Sequence, residues 1–330
     1  MSSKSFRVSR RSMILVISLV TVVIIGYSIV TGSFRFLEEV SFTKLVLSFI
    51  ILMFAWLISA YRLKYIHRIL EPDRCLNTSI KDYFYARLLG GLMAYITPSG
   101  IGGEPARAYY LAKRCIGKFS RYFALSIYEV YYDIMVVNIL ALSLSFYSIP
   151  YSLLIVLVSI GNIVSWITMY YLIKNIIEPE NTNLFLRKII KWMNKFVHKR
   201  LEMIKNSYYD FANSFNILVN NSNLKNRLVI VILTIFYHIC NSLAIFVIAV
   251  KTFDITVIAD TLIASISAYF YSLTLGSLPT PGGAGVMEYG LSLALEPEIV
   301  IVTRILMYYS TVIIGLLILY KIGLTKEIFE

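Results

Sequence analysis

The chain has 330 residues, of which 58% are hydrophobic and only 15% are charged, and its mean hydropathy is +0.72. A soluble fold of this length cannot cover so much apolar surface, so the composition excludes a soluble enzyme. The formal net charge of +12 is compatible with nucleic acid or with an anionic membrane surface, and the positions of the basic residues decide between the two.

Six apolar stretches are long enough to cross a bilayer, whose hydrocarbon core of roughly 30 Å requires about 20 helical residues. They carry almost no charge and predict an all-α polytopic membrane protein. The first stretch follows a basic segment but precedes no Ala-x-Ala-like cleavage site, so we expect an uncleaved span. The predicted spans are 13–31, 42–60, 122–147, 151–173, 228–250 and 299–320.

Most lysine and arginine residues lie in segments on one predicted side of the membrane. Five segments on one predicted side hold 26 of the 31 basic residues, whereas the loops on the other side hold Arg35, Lys44 and Lys251. The five segments are 4–11, 61–82, 104–121, 174–227 and 321–330. The positive-inside rule therefore places both termini in the cytoplasm, and no nucleic acid is needed to explain the net charge.

The three cysteines, Cys75, Cys115 and Cys240, are widely separated. Their spacing indicates neither a metal site nor a disulfide framework, so we interpret them as packing residues. Scarce cysteines and the absence of processing signals fit a prokaryotic plasma membrane.

Two further apolar stretches, 83–111 and 258–295, are interrupted by glycine and proline. Each contains Tyr-Phe-Tyr followed by Thr-Pro-x-Gly-x-Gly, at 97–102 in the first stretch and at 280–285 in the second. Basic residues flank the first stretch, whereas the acidic Glu296-Pro297-Glu298 follows the second. We therefore expect two re-entrant helical hairpins that insert from opposite sides of the membrane.

This arrangement predicts a single membrane domain, 1–330, built as an inverted-topology repeat. The first half-repeat is 13–147, and the second comprises 151–173 and 228–320. Secondary transporters of this architecture bind substrate near the midplane, where broken helices meet. The alternative is that the two interrupted segments match by chance or for close packing, since small residues are common at helix contacts in membranes.

The segment 174–227 between the halves is predicted to be a cytoplasmic amphipathic connector. Apolar residues recur at helical spacing over 182–220, and the opposite face carries a row of lysines. Such a helix suits the surface of an anionic leaflet. A simple link between the two halves explains the pattern equally well.

The hairpin tips are the candidate binding site, because non-helical backbone at membrane depth occurs only where it is buried or lines a wet cavity. After each tip a short helix begins, and two such N-termini could bind an anion such as phosphate. In the first tip Pro105 fits the opening turn of a helix, and Glu104 could cap it. The predicted substrate-binding residues are Pro98, Gly100, Gly102, Gly103, Glu104, Arg107, Pro281, Gly282, Gly283, Gly285, Glu288 and Arg304.

Ionisable residues inside apolar segments are costly and usually functional. Glu129 and Asp133 stand four residues apart on one helix face, and we predict that they act in ion coupling or ion pairing. Arg107 and Arg304 are the best candidates for substrate contacts, with Arg87 a further buried cation. The structural alternative is that these arginines simply neutralise Glu129, Asp133 or Glu288.

A catalytic function finds no support in the sequence. The histidines His67, His198 and His238 are scattered, and no nucleophile-base pair, zinc spacing or phosphate-binding loop is present. We therefore expect neither enzymatic activity nor a cofactor or metal.

The two tips, 98–107 and 279–288, resemble the paired signatures of the lysylphosphatidylglycerol synthetase transmembrane-region family, also called flippase-like. The similarity extends to Glu129-x-x-x-Asp133 and to Arg304, and it covers about 13–320. The second motif, ending in Gly-Gly-x-Gly-x-x-Glu, is the more specific. The first motif departs from the family in Glu104-Pro105-Ala106, where an acid and an aliphatic residue often precede the arginine.

The resemblance implies a membrane module that moves an anionic phospholipid or lipid-linked intermediate between leaflets. We expect no soluble aminoacyl-transferase domain after residue 320 and no glycosyltransferase domain before residue 13. Two alternatives stay open: a non-transporting membrane partner of a lipid-modifying enzyme or glycosyltransferase, and an ion-coupled exporter of an organic anion.

Overall fold

A computed structural model describes residues 9–33, 40–71, 78–97, 100–146, 152–177, 184–198, 202–251 and 254–325. Within these ranges the chain forms helices joined by short turns. The helices are α1 (Arg10–Thr31), α2 (Phe42–Leu70), α3 (Ile80–Ile96), α4 (Gly103–Arg114), α5 (Phe119–Ser145), α6 (Leu153–Lys174), α7 (Leu184–His198), α8 (Glu202–Asn221), α9 (Leu224–Ala249), α10 (Ile255–Gly276), α11 (Val286–Ser292), α12 (Pro297–Arg304) and α13 (Ser310–Lys321). A π-helical turn, Ile305–Tyr309, joins α12 to α13.

Polar side chains mark the beginnings of several helices. The carboxylate of Asp82 accepts from the backbone N–H of Ser79 before α3, and the Asn223 side chain accepts from Asn226 at the start of α9. At the start of α10 the hydroxyl and backbone N–H of Thr256 donate to Asp254, which holds the pKa of that carboxyl below its usual range. These contacts satisfy N–H groups that have no partner within the helix.

Seven helical segments in the described residues are long and apolar enough to cross a membrane. This confirms a multi-pass membrane protein but exceeds the six predicted spans by one. The additional segment is α10, Ile255–Gly276, the first arm of the second interrupted stretch. The glycine and proline cluster lies after this 22-residue helix and so does not shorten it.

The first interrupted stretch folds into an antiparallel helical hairpin of α3 and α4. A Cβ added to Gly103 would lie 3.0 Å from the carbonyl oxygen of Gly90, so the two helices approach closely near the tip. At the other end, Nε of Arg114 lies 3.0 Å from Oδ1 of Asp82. The start of α3 and the end of α4 are therefore neighbours.

The second stretch forms a comparable hairpin of α10 and α11. A Cβ on Gly290 would lie 2.6 Å from Cα of Ser272, and one on Gly276 would lie 3.3 Å from Cγ of Met287. An ion pair between Lys251 and Glu296 brings the beginning of this hairpin next to its end. Both hairpins thus return to the end of the bundle at which they begin.

The hairpins open at opposite ends of the helix bundle, and α2 relates the two ends. Near its beginning, Lys44 donates to the carbonyl oxygen of Val250, which precedes the second hairpin. Immediately after its last residue, Glu71 pairs with Arg121, which follows the first hairpin. The tips therefore point towards one another inside the bundle, and their position in a bilayer stays a prediction.

The connector consists of two helices instead of the predicted single helix. The ring of Phe211 on α8 lies 5.6 Å from that of Phe123, and the ring of Phe215 lies 5.7 Å from that of Tyr128. Helix α8 is therefore attached to α5, as expected for a link between the halves. Helix α7 instead leaves Phe185 and Trp192 exposed, so a membrane-surface role stays a prediction for α7 alone.

The cysteines do not all behave as packing residues. Cys240 is a buried free thiol, as expected, but Cys115 is disulfide-bonded. The prediction is therefore wrong for Cys115. Its position in the sequence gave no sign of pairing, because neither of the other cysteines lies at a recognisable spacing from it.

We expect Gly290→Ala to destabilise the second hairpin. The new methyl group would meet the backbone of Ser272, so α10 and α11 must separate, and overpacking of this kind costs about 1–3 kcal/mol. Thermal unfolding of the detergent-purified protein should show a lower Tm. Gly161→Ala is the matched control, because a Cβ on this α6 glycine meets nothing within 4 Å. Equal Tm values for the two variants would contradict the close packing of α10 and α11.

Candidate functional site

Glu129 on α5 is the centre of a buried charge cluster. Its Oε1 lies 2.9 Å from Nη2 of Arg62, and its Oε2 lies 2.6 Å from Nη1 of Arg107. The side chains of Glu129 and Arg62 are both 0% exposed. Because an isolated buried charge costs several kcal/mol, the carboxylate and the two guanidinium groups depend on one another.

Arg62 also binds the second acid of the α5 face. Its Nη1 and Nη2 donate to Oδ1 and Oδ2 of Asp133 at 2.6 and 2.7 Å, and Nη1 also donates to Oγ1 of Thr234 at 2.8 Å. The two parallel bonds make a bidentate pair, the strongest arrangement between arginine and a carboxylate. Arg62 on α2 thus contacts both acids of the predicted shared face, Glu129 and Asp133.

Arg87 is the least tightly paired arginine of this cluster. Its Nη1 lies 3.6 Å from Oε2 of Glu129, and its side chain is 15% exposed. Its guanidinium also lies 5.7 Å from the ring centroid of Tyr237, as does that of Arg62. We call Arg62, Arg87, Arg107, Glu104, Glu129 and Asp133 the first cluster.

At the tip of the first hairpin, backbone donors are already in use. The N–H of Gly102 donates to Oγ1 of Thr97 at 3.0 Å, and the N–H of Gly103 donates to the carbonyl oxygen of Gly100. Gly100 has a φ of +68°, a conformation that favours glycine. Pro98 lies outside the described residues.

Glu104 pairs with an arginine of its own helix. Its Oε1 accepts from Nη2 of Arg107 at 3.0 Å, and its side chain is 22% exposed, the most exposed acid of the first cluster. Helix α4 begins at Gly103, so Pro105 lies in its first turn as predicted. The prediction that Glu104 caps this end is wrong, because Gly102 is the N-cap residue and no side chain makes a capping hydrogen bond there. The carboxylate there neutralises Arg107 and also faces the positive end of the helix dipole.

The second hairpin has its own buried pair. Nε of Arg304 on α12 donates to Oε1 of Glu288 on α11 at 2.7 Å, and Nη2 donates to the carbonyl oxygen of Gly282 at 3.2 Å. The other carboxylate oxygen of Glu288 accepts from the N–H of Gly285 at 2.8 Å. We call Arg304, Glu288, Gly282 and Gly285 the second cluster.

The glycines of the second tip have a conformational role. Gly282, Gly283 and Gly285 all have positive φ values, between +60° and +81°. The carbonyl oxygen of Pro281 accepts from the N–H of Ala284 at 3.0 Å and closes the turn. Arg304 and Glu288 thus bind both sides of a turn that only glycine adopts readily.

These contacts change the predicted anion site. The expectation was that free N–H groups at both tips would receive the anion, but Glu288 already binds Gly285, and the N–H groups of Gly102 and Gly103 have partners. In the first cluster, Nε of Arg107 is buried and makes no hydrogen bond to the protein.

The acidic and basic residues exchange places between the two clusters. In the first, the hairpin helix carries Arg107 and the following span carries Glu129, whereas in the second the hairpin helix carries Glu288 and the following span carries Arg304. The tips also meet, since a Cβ on Gly282 would lie 3.0 Å from the carbonyl oxygen of Tyr95 at the end of α3. A π-helical turn follows Arg304 directly, and such turns are frequent at functional sites.

Residues 13–315, which include both clusters, match the family model described as lysylphosphatidylglycerol synthase TM region. The chain belongs to this family. The family is that of the transmembrane, non-catalytic region of the synthase, and the match confirms the resemblance noted in the two tip motifs. No curated protein and no solved structure matches the chain.

Three further side chains in or beside the first cluster, Arg62, Thr234 and His238, are not among the residues predicted from the sequence. Arg62 was counted with the basic loop 61–82, but α2 continues to Leu70 and buries it. The signal was present, because Ala55, Ser59 and Ile66 share its buried face at helical spacing. Thr234 and His238 also contact this cluster, and they stand four residues apart on α9.

We expect Arg304→Met to destabilise the fold more than the double variant Glu288→Gln/Arg304→Met. The single change leaves a buried carboxylate unpaired, at a cost of about 3–5 kcal/mol, whereas the double change removes both charges. The measurement is Tm in detergent for wild type, both single variants and the double variant. Additive losses in the double variant would show that the two side chains do not stabilise each other.

Proposed function

We propose that this protein moves an anionic phospholipid or an anionic lipid-linked intermediate between the leaflets of the plasma membrane. The headgroup is held at the tip of the first hairpin, next to Arg87 and Arg107, while the acyl chains stay in the bilayer. Membership of the lysylphosphatidylglycerol synthase TM region family supports a membrane role beside lipid chemistry. Both termini lie in the cytoplasm in this proposal, following the distribution of basic residues.

The observation that carries the proposal is the incomplete pairing of two arginines inside an apolar bundle. Arg107 has a buried Nε without a partner, and Arg87 reaches Glu129 only at 3.6 Å. The guanidinium group binds phosphate oxygens bidentately, so both arginines suit a phosphate-containing headgroup.

The phosphate of a headgroup can bind by replacing a carboxylate as the partner of an arginine. The first cluster holds three arginines against three carboxylates, so it is formally neutral without ligand. Glu104 is the most exposed of these acids and contacts only one arginine of the cluster. A phosphate that displaces Glu104 from Arg107 keeps that arginine paired, while the displaced carboxylate stays in the first turn of α4, so the region gains one negative charge.

The hairpin geometry is consistent with alternating access in this proposal. The two hairpins open at opposite ends of the bundle and meet at their tips, as expected for elements inserted from opposite sides of the membrane. In inverted repeats the substrate lies near the midplane, between such elements. Motion of one hairpin relative to the other would expose the first cluster to either leaflet.

Transport in proteoliposomes tests this proposal. We expect Arg87→Gln and Arg107→Gln to lower the rate at which a fluorescent phosphatidylglycerol analogue changes leaflets by about tenfold or more, because each removes one charge-assisted contact worth roughly 1.5–3 kcal/mol. The assay measures the fraction of label protected from a membrane-impermeant quencher over time.

Arg114→Gln is the matched control. Arg114 lies on α4, as Arg107 does, and its substitution also removes one positive charge. Arg114, however, pairs with Asp82 at the far end of the hairpin and is 55% exposed. Wild-type rates in both cluster variants, with folded yield unchanged, would remove the proposed site.

A docking function has one specific observation in its favour. Helix α7 presents Phe185 and Trp192 to the outside, with Lys188 and Lys195 on its basic face. This surface could bind a lipid-modifying enzyme or glycosyltransferase. A pure protein that binds lipid but does not move it, and that retains such an enzyme through α7, would favour docking over transport.

A further inference from the structure

His238 on α9 lies directly beside the first cluster and has no part in the exchange described above. Its Nε2 is 3.2 Å from Oδ1 of Asp133, and its Nδ1 is 3.0 Å from the hydroxyl oxygen of Tyr269. Nε2 nevertheless makes no hydrogen bond of good geometry, and the residue is buried. An oxygen atom therefore lies close to each ring nitrogen, but only the contact of Nδ1 has the geometry of a hydrogen bond.

Charged and titratable groups lie near His238 on several neighbouring helices. The guanidinium groups of Arg62 and Arg87 both lie 5.7 Å from the ring centroid of Tyr237, which lies 4.8 Å from that of His238. Asp133 is already neutralised by the bidentate contact with Arg62. The groups near His238 are Arg62 on α2, Arg87 on α3, Asp133 on α5, Tyr237 on α9 itself and Tyr269 on α10. Helix α12 also packs on α9, and its Arg304 is paired with Glu288.

Charge balance links this histidine to anion binding. The first cluster is neutral when His238 is neutral, because Arg62, Arg87 and Arg107 match Glu104, Glu129 and Asp133. A bound phosphodiester adds one negative charge to a region with little solvent to screen it. Adding one proton to the imidazole restores neutrality, and an imidazolium has an N–H for each of the two oxygens already in place.

We propose that His238 takes up one proton when an anionic phosphodiester headgroup binds to the first cluster. The inference rests on the proposed function, since it assigns the ion coupled to the same site. The proton is transferred from a hydronium ion or a buffer acid, whose bond to that proton breaks as an N–H bond forms at the ring nitrogen that carries no hydrogen; water or the buffer base is left behind. The protein then carries headgroup and proton together, and release of the headgroup on the other side returns the proton to water.

Linkage gives the sign of the pH dependence. Because the complex binds one proton more than the free protein, affinity rises as pH falls, by up to tenfold per pH unit, between the pH at which free His238 is half protonated and the higher pH at which His238 in the complex is half protonated. A phosphodiester such as that of phosphatidylglycerol keeps a single negative charge between pH 6 and 8, so its own titration does not contribute.

The experiment is calorimetric binding of short-chain phosphatidylglycerol to the full-length protein in detergent. Titrations at pH 6, 7 and 8, in two buffers of different ionisation enthalpy, give both Kd and the number of protons taken up. We expect about one proton per lipid for the wild type and a Kd that rises several-fold to tenfold per pH unit. For His238→Gln we expect no proton uptake and a Kd that does not change with pH.

His67→Gln is the matched control, because His67 is also buried and lies 4.0 Å from the carboxylate of Glu71, away from the first cluster. It should keep the wild-type coupling. Tyr269→Phe provides a second variant, which retains the imidazole but removes the Nδ1 partner. It should shift the pH midpoint of the coupling while proton uptake persists, and an unchanged midpoint would count against the assignment.

The outcomes separate this inference from the proposed function. Binding of phosphatidylglycerol that is independent of pH in the wild type, or coupling that survives in His238→Gln, overturns the role of His238 and leaves the headgroup site standing. Loss of coupling in Glu104→Gln but not in His238→Gln assigns the proton to Glu104 and has the same consequence. No binding by the wild type at any pH overturns the headgroup site and the inference with it.

Discussion

The buried contact of Arg62 with Glu129 and Asp133 is the constraint on which the arrangement of the helices depends. Three charges with little or no exposure to water can persist inside an apolar bundle only if they neutralise one another. The contact joins α2 to α5, and Thr234 extends it to α9. The first hairpin is held to the same point through Arg107, so its tip has a defined position relative to three spans.

The second hairpin uses the same physical principle with the charges exchanged. Arg304 binds both the carboxylate of Glu288 and the carbonyl oxygen of Gly282, and so fixes a turn whose glycines would otherwise be flexible. Every polar atom of the Arg304 guanidinium has a partner in the protein, including Sδ of Met287. The two clusters therefore differ in their pairing: in the second every guanidinium nitrogen of Arg304 has a partner, whereas in the first Nε of Arg107 has none.

The sequence predicts the six apolar spans and the positions of the two Gly-Pro interruptions, because apolar length and Gly-Pro content are local properties; it does not predict that α10 is also long enough to cross a membrane. It also identifies Glu129, Asp133, Glu288, Arg107 and Arg304 as buried ionisable residues, but it does not say which of them pair. Arg62 was missed because a span was ended at the first charged residue, although its helical face was apolar. Pairing depends on tertiary distances between α2, α4, α5 and α9, and no single-sequence pattern contains them.

The neutrality of the first cluster limits how an anion can enter it. An added phosphate without compensation would leave one buried negative charge, which costs several kcal/mol, so binding must either move an acid out or bring a cation in. Glu104 is the acid that can move, since it is the most exposed and is held by a single arginine of the cluster. Its movement alone keeps Arg107 paired but leaves the negative charge near the positive end of α4, where it still weakens the attraction for the headgroup. A proton is the smallest cation that reaches a buried site, and His238 is the group beside the cluster with two oxygen neighbours ready for it.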